Sequence, residues 1–399
     1  DGVDHIACET TITRPSATSL FYRQVTVERC SVDERWREGG RGAEDSCVTR
    51  SASAAYPDRD VTHSLRKCLD CSRGKVIANT PCRVATEWIH VDFEENPRIR
   101  EVYGFAGGTG RIHLEGIRMM PVDRRSDTLI IYMHPVTTLQ LLPVPRAMAE
   151  MGAHVLCAGS HSARHARPLI MENVVRDYAM YVKHAKERWG YQKIVVAGWS
   201  GGGSLTALYQ AQAERPSITQ TPAGDPVDLS GLIPGDALIF HAAHLSRAAV
   251  LRDFIDPSVL DEHNPALRDY RLDLYDPRNP DKPPYSKEYI AYFRAAQVAR
   301  IRRRTAVVKE LLHELRKGGP GAPAEQGIVT HRTLADPRFL DPNIDRNDRL
   351  IGTCFLGDPE ASNCSAAGLA RFSALRAWLS QWSIDDTQPN ALTSAPQIS

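Results

Sequence analysis

A serine set between glycines is the part of the sequence best suited to chemistry. The motif is Gly198-Trp199-Ser200-Gly201-Gly202. It follows an apolar run at 194–197 and precedes a helix-forming run at 205–209. A strand, a sharp turn and a helix in that order hold the serine in a strained backbone conformation, and glycines are needed where any Cβ would clash. The context therefore predicts a nucleophile elbow around Ser200, rather than a glycine-rich turn that merely joins two elements.

A serine hydroxyl is a poor nucleophile at neutral pH, so Ser200 would need a histidine to accept its proton. An acid must also hold that imidazole in the right tautomer. Two N–H donors must face the oxyanion that develops on the substrate. The backbone N–H of Gly201, directly after the nucleophile, is the first expected donor.

The second oxyanion donor is expected from the loop that follows the apolar residues 129–133. This loop reads His134-Pro135-Val136-Thr137. Proline has no N–H, so Val136 is the expected donor and Thr137 the next. We interpret His134 as a residue that orders the loop by bonding to backbone.

Strand-like and helical runs alternate from about residue 85 to 244. Strands are predicted over 87–93, 112–119, 128–133, 154–158, 194–197 and 236–240, and helices over 145–151 and 174–189. Residues 102–105, 107–110 and 112–119 have the pattern of a hairpin. The alternation predicts an α/β fold with a mostly parallel sheet flanked by helices. Chemistry is expected at the carboxyl ends of the strands, where Ser200 falls.

Over residues 86–244 the chain resembles the α/β-hydrolase superfamily, on the strength of the elbow in its strand–turn–helix context. The resemblance implies a serine hydrolase that cleaves small-molecule carboxylic esters through an acyl-enzyme on Ser200, with no metal or organic cofactor. It also implies that an acid and then a histidine follow on loops after two further strands. Beyond a helix ending near Ser383 only a polar tail without histidine remains. We therefore expect those strands to be missing.

The candidate bases are the histidines that follow the elbow: His241, His244, His263, His313 and His331. His331 is the best candidate, because it follows the strand-like residues 327–330 and has Asp336 and Asp341 just beyond it. His241 and His244 end the strand next to the elbow and are expected to line the pocket.

The acid is left open, with Asp253 and Asp256 as candidates. The alternative to a working esterase is a catalytically impaired or non-catalytic hydrolase-like protein or fragment. In that case the sheet would stop at 236–240 with an exposed edge. No histidine Nε2 would then lie within about 3.5 Å of the Ser200 hydroxyl, unless His331 folds back to it.

Four regions are predicted. Residues 1–84 form a low-order extension rich in Cys and Arg, 85–244 the hydrolase core, 245–365 a lid inserted after the strand that follows the elbow, and 366–399 a core-packing helix with a polar tail.

Inside the lid a long helix is predicted over 288–317, whose arginine cluster at 300–304 is most simply a solvated face. The lid aromatic residues either bind an apolar acyl group or form the core of the lid: Tyr285, Tyr289, Tyr292 and Phe293. The final helix is expected to bury Leu369, Phe372, Leu375, Leu379 and Trp382.

Charge and cysteine content limit the possible functions. The 399 residues carry 49 Lys plus Arg against 48 Asp plus Glu. This balance argues against a nucleic-acid partner, and no apolar run of about 18 residues indicates a membrane span. We expect a cytoplasmic protein, and the oligomeric state is not indicated. Zinc binding by His63, Cys68, Cys71 and Cys82, or disulfides in the cysteine-rich first 82 residues, are alternatives that the spacing does not favour.

Deleting residues 1–84 should leave the melting temperature and any activity largely unchanged, because the segment lacks the apolar period needed to pack on a sheet. Thermal denaturation of the full and shortened chains checks this. A large fall in melting temperature would show that the segment is a folded part of the domain.

Overall fold

The computed structural model describes residues 81–94 and 110–399, apart from 165, 320, 322, 345–348 and 367. It also describes two short strands, Arg29–Cys30 (β1) and Thr49–Arg50 (β2), which pair antiparallel. The predictions for the rest of residues 1–80 and for residues 102–105 lie outside the described residues.

Six strands form the central sheet. They are β3 (Val84–Glu94), β4 (Arg111–Pro121), β5 (Thr128–Met133), β6 (His154–Ala158), β7 (Lys193–Trp199) and β8 (Ala237–His241). Their order across the sheet is β3-β4-β6-β5-β7-β8. β3 pairs antiparallel with the whole of β4, and β4 pairs antiparallel with β6. The remaining pairs are parallel, which confirms the predicted mostly parallel sheet. In the described part of the chain β8 pairs with β7 alone, so it forms an edge.

The sheet begins before the predicted boundary at residue 84. Cys82 donates its N–H to Glu150 O at 2.7 Å, and Arg83 O accepts from Val122 N–H at 2.8 Å. A cut before residue 81 would keep these contacts and test the extension alone.

Helices cover both faces of this sheet because the strand side chains alternate in direction. Leu129, Ile131 and Met133 of β5 pack in the same cluster as residues of α2 (Met171–Glu187) and α3 (Gly202–Glu214). Tyr132 points to the other face, where its cluster includes Ala149 of α1 (Pro143–Glu150). All five residues of β6 are buried, as expected of a strand covered on both faces.

The region after β8 contains α4 (Arg247–Phe254), α5 (Lys287–Lys317), β9 (Gly327–Val329) and α6 (Pro359–Cys364). β10 (Phe372–Ala374), α7 (Leu375–Gln381) and α8 (Ala391–Ser394) follow. None of the described helices is long and apolar enough to cross a membrane. Tyr289 and Phe293 are buried with Leu272 and Leu274 in a separate cluster, so these two aromatic residues form core rather than surface.

One prediction for the C-terminal region was wrong. The expected single helix carrying Leu369 to Trp382 is shorter, because Phe372 lies in β10, which pairs antiparallel with β9. The polar tail that follows contacts the rest of the fold. Ala391 N–H bonds to Leu245 O at 2.7 Å, and Ser399 N–H bonds to Glu214 at 2.6 Å.

The arginine cluster of α5 is only in part the predicted solvated face, because Arg302 and Arg303 are exposed whereas Arg300 is buried. Arg300 is 1% exposed and donates from Nε and Nη2 to the two carboxylate oxygens of Glu262 at 2.8 and 2.9 Å. Arg302, by contrast, is exposed and pairs with Asp385. A bidentate pair in the region after β8 offsets the cost of burying the Arg300 guanidinium.

Arg300→Gln should lower the free energy of unfolding by about 3–5 kcal/mol, since the half-buried Glu262 would lose its bidentate partner. Arg302→Gln is the matched control on the same helix. Its exposed pair should contribute about 1 kcal/mol or less. Urea denaturation of both variants checks this, and equal losses would contradict a structural role specific to Arg300.

Candidate active site

Ser200 lies on a strained turn between β7 and α3. Its φ is +54°, in the left-handed region that non-glycine residues seldom adopt. The Ser200 N–H bonds to His241 O at 3.1 Å, and its carbonyl accepts from His244 N–H at 2.8 Å and Gly203 N–H at 3.0 Å. These bonds fix the serine backbone at the carboxyl ends of two neighbouring parallel strands.

Close backbone packing explains the glycines around Ser200. A Cβ on Gly198 would lie 2.1 Å from Gly202 O, and a Cβ on Gly202 would lie 2.1 Å from Met133 O. Both contacts are with backbone, which cannot move aside as a flexible side chain could. The turn therefore holds its shape only with glycine at these two positions.

The structure distinguishes the two expected oxyanion donors. Gly201 N–H makes no hydrogen bond with any described residue, so it is available to a ligand. Val136 N–H donates to His134 Nδ1 at 3.1 Å, which is the backbone contact expected of a loop-ordering histidine. Thr137 N–H, the next candidate, has no partner among the described residues.

His134 turns its other nitrogen toward the elbow. Because Nδ1 accepts from Val136, the neutral ring carries its proton on Nε2. Nε2 lies 3.2 Å from the position that a Cβ on Gly201 would occupy. Burial, followed by the charge of Arg247 and then His244, holds the His134 pKa well below its usual range. The ring is therefore neutral near pH 7.

His241 and His244 both lie against the elbow, since their backbone groups bond to Ser200. Burial lowers the pKa of His244 to about 4, with further contributions from Arg247 and Arg338. Burial also lowers the pKa of His241, whose Nδ1 is buried without a partner among the described residues. Both rings are neutral at pH 7.

The structure does not bring the predicted base, His331, to Ser200. His331 Nδ1 lies 2.7 Å from Arg371 Nη2, and His331 O accepts from Arg300 Nη2 at 2.8 Å. Ser200 makes no side-chain hydrogen bond to any histidine in the described part of the chain. The role of His331 as base stays a prediction.

Both candidate acids pair with arginines. Asp256 is fully buried and accepts from Arg332 Nε at 2.6 Å and Asn363 Nδ2 at 2.8 Å. Asp253 Oδ1 lies 2.7 Å from Arg252 Nη2. Neither carboxylate holds a histidine in the described contacts.

Sequence reasoning missed a buried histidine–carboxylate pair that follows β6. His161 Nδ1 lies 2.6 Å from Asp177 Oδ2, and both residues are buried. His161 also lines a cleft of about 570 Å³ with His90, His113 and Glu115. No group of three His, Cys, Asp or Glu side chains that could hold a metal occurs among the described residues.

Sequence reasoning also missed Arg247, the first residue of α4. It is 7% exposed, and its Nη1 lies 3.8 Å from the position of a Cβ on Gly201. Its Nε donates to Gln381 Oε1 at 3.1 Å. Burial lowers the Arg247 pKa to about 10, so the guanidinium stays charged at neutral pH. One arginine among 49 basic residues gives no sequence signal of such a position.

A mostly parallel sheet between helical layers, with a serine on a strained strand-to-helix turn at its carboxyl edge, defines the α/β-hydrolase fold. The chain has a low similarity to several solved structures. The siderophore hydrolase EstB from Aspergillus fumigatus has a TM-score of 0.33 and 12% identity over 69% of this chain and 62% of its own. A bacterial heroin esterase has a TM-score of 0.28 and 15% identity, over 52% of this chain and 60% of its own. Brefeldin A esterase, a bacterial homologue of human hormone-sensitive lipase, has a TM-score of 0.24 and 19% identity, over 33% of this chain and 36% of its own.

Each match therefore spans less than two thirds of the other chain. No protein-family model matches the sequence, and no curated protein matches it. With TM-scores of 0.24 to 0.33, the fold assignment rests on the topology and the turn rather than on these likenesses.

The folded protein should lose stability as the pH falls from about 6.5 to about 4. The unfolded state binds a proton at the ordinary histidine pKa near 6.5. The folded state resists protonation of His244 until its pKa of about 4, so the unfolded state holds more protons between these values. Melting temperatures across this range should fall less steeply in His244→Gln. An unchanged slope would show that other groups, such as His134 and His241, carry the effect.

Proposed function

We propose that this chain is a serine hydrolase that cleaves small carboxylic esters through an acyl-enzyme on Ser200. One observation carries the proposal: Ser200 sits at φ +54° with the N–H of Gly201 unoccupied beside it. In the first step Oγ would attack the ester carbonyl and pass its proton to a histidine, and the alcohol would leave with that proton. Water would then release the acid from the serine ester. A serine nucleophile argues against a dehalogenase, which uses a carboxylate at this position.

The oxyanion would be bound by Gly201 N–H and a donor from the loop after β5. Val136 is the donor expected from the sequence, and its N–H would have to leave His134 Nδ1 to act. Thr137 N–H is open in the described contacts and needs no such rearrangement. Two donors at this place would stabilise the negative charge that forms on the carbonyl oxygen.

Two histidines compete for the role of base. His331 fits the chain order that the resemblance implies. To act as the base it would have to leave its contact with Arg371 and bond to Ser200 instead. His244 already contacts the elbow through its backbone, and its neutral ring can accept a proton. A pKa of about 4 makes it a weak base, which favours slow turnover. Residues 245–365 are proposed as a lid over this site.

A specific observation favours a second candidate function, a hydrolase-like protein with impaired catalysis. Ser200 has no histidine partner in the described contacts, and arginines occupy Asp253 and Asp256. A pocket that binds an ester without rapid turnover fits this arrangement.

Ser200→Ala should reduce p-nitrophenyl butyrate hydrolysis by at least about 10³-fold, because the covalent path is removed. Its far-UV circular dichroism should not change, since the glycines rather than the hydroxyl build the turn. The exposed Ser230→Ala is the matched control and should keep full activity. Hydrolysis by Ser200→Ala at the wild-type rate would place the nucleophile elsewhere.

Fluorophosphonate labelling of Ser200 separates the two functions and identifies the base. Fast labelling that is lost in His244→Gln or in His331→Gln assigns the base to that residue. Absence of labelling in the wild-type chain supports the impaired protein.

A further inference from the structure

Arg247 is a buried cation without an acidic partner. The described residues contain four buried arginines: Arg247, Arg300, Arg332 and Arg338. Three of them pair with carboxylates, Arg300 with Glu262, Arg332 with Asp256 and Arg338 with Asp336. Arg247 alone of these four has no carboxylate partner among the described residues, and its Nε donates to the Gln381 amide oxygen. A buried charge without a counter-ion is costly, and a charge in such surroundings is a candidate for binding a ligand of opposite charge.

The unpaired part of Arg247 faces the elbow. Nη1 lies 3.8 Å from the Cβ position of Gly201, whose N–H is the expected oxyanion donor. The other polar groups at this place are the rings of His134 and His244, both of which feel the charge of Arg247. A cation and two neutral imidazoles therefore lie next to the elbow, and no described carboxylate pairs with Arg247.

Gln381 holds the guanidinium in a fixed orientation. Its Oε1 accepts from Arg247 Nε, while its Nε2 donates to Ala166 O at 2.8 Å. Nη1 and Nη2 make no hydrogen bond with any described residue, so two parallel N–H groups remain open. This is the geometry that binds a carboxylate through two hydrogen bonds.

We propose that Arg247 binds a carboxylate on the acyl part of the substrate, so that the preferred substrates are monoesters of short dicarboxylic acids. The inference rests on the proposed function, because it places this carboxylate next to the ester that Ser200 attacks. The ester carbonyl would lie at Gly201 N–H while the free carboxylate pairs with Nη1 and Nη2. The carboxylate would supply the counter-ion that the protein lacks.

The test compares monomethyl glutarate with dimethyl glutarate, which differ in the free carboxylate. The wild-type chain should have the higher kcat/KM for the monomethyl ester. Arg247→Gln should lose about 10- to 100-fold on that ester, the range expected for charged hydrogen bonds. The loss on the dimethyl ester should be clearly smaller, because Arg247 affects that ester only through its charge beside His244. Arg252→Gln is the matched control, since Arg252 lies on the same helix and already pairs with Asp253.

Equal losses on both esters in Arg247→Gln, or no wild-type preference for the monomethyl ester, would overturn the proposal. If Arg247→Gln does not fold, Arg247→Lys serves instead. It keeps the charge without the paired N–H edge and should lose part of the preference.

A binding measurement keeps the inference separate from the proposed function. Monomethyl glutarate should raise the melting temperature of Ser200→Ala but not that of the double variant Ser200→Ala, Arg247→Gln. If p-nitrophenyl butyrate is not hydrolysed, the esterase proposal fails while this shift still supports the carboxylate site. If the shift is absent or equal in both variants, the carboxylate site fails.

Discussion

The packing of β7 onto α3 without an intervening Cβ is the constraint on which the rest of the site depends. Gly198 and Gly202 meet backbone oxygens at distances that exclude any side chain, and Ser200 between them is held at φ +54°. Such a conformation costs about 1–3 kcal/mol, so the surroundings must maintain it. They do so through the bonds from Ser200 to His241 and His244, which join the end of β8 to the turn. The strained serine, the open Gly201 N–H and the neighbouring histidines thus lie where two close approaches of backbone meet, Gly198 to Gly202 and Gly202 to Met133 of β5.

Two kinds of interior meet at this turn. The sheet has an apolar core on both faces, whereas the region after β8 is organised by buried arginine–carboxylate pairs. These pairs explain why Asp253 and Asp256 do not serve the elbow histidines. Asp256 is held by the buried Arg332 and by Asn363, and Asp253 is held by the half-buried Arg252, so both carboxylates already have partners. Arg247 lies where the two interiors join. It is buried like the arginines of this network, but no described carboxylate pairs with it.

Where the sequence predictions failed, a distant part of the chain decided the outcome. Phe372 fits an apolar helical face together with Leu375 and Leu379, but pairing with β9 places it in a strand. Arg300 belongs to a run of arginines that suggests a solvated helix. It is buried instead, because it pairs with Glu262, which is distant in the sequence. Local patterns carry no information about such partners, because the contact forms only after the chain has folded.

The sequence by itself determined the alternating strands and helices, the mostly parallel sheet and the turn around Ser200. Each of these depends on residues within one or two elements: apolar period, strand length, and glycines where backbone packs on backbone. The tertiary structure alone decided which charged groups meet, namely His331 with Arg371, His161 with Asp177, and Arg247 with the elbow. Electrostatic contacts between side chains depend on distances of a few ångströms in space and not on separation along the chain. No local sequence pattern could therefore have predicted these contacts.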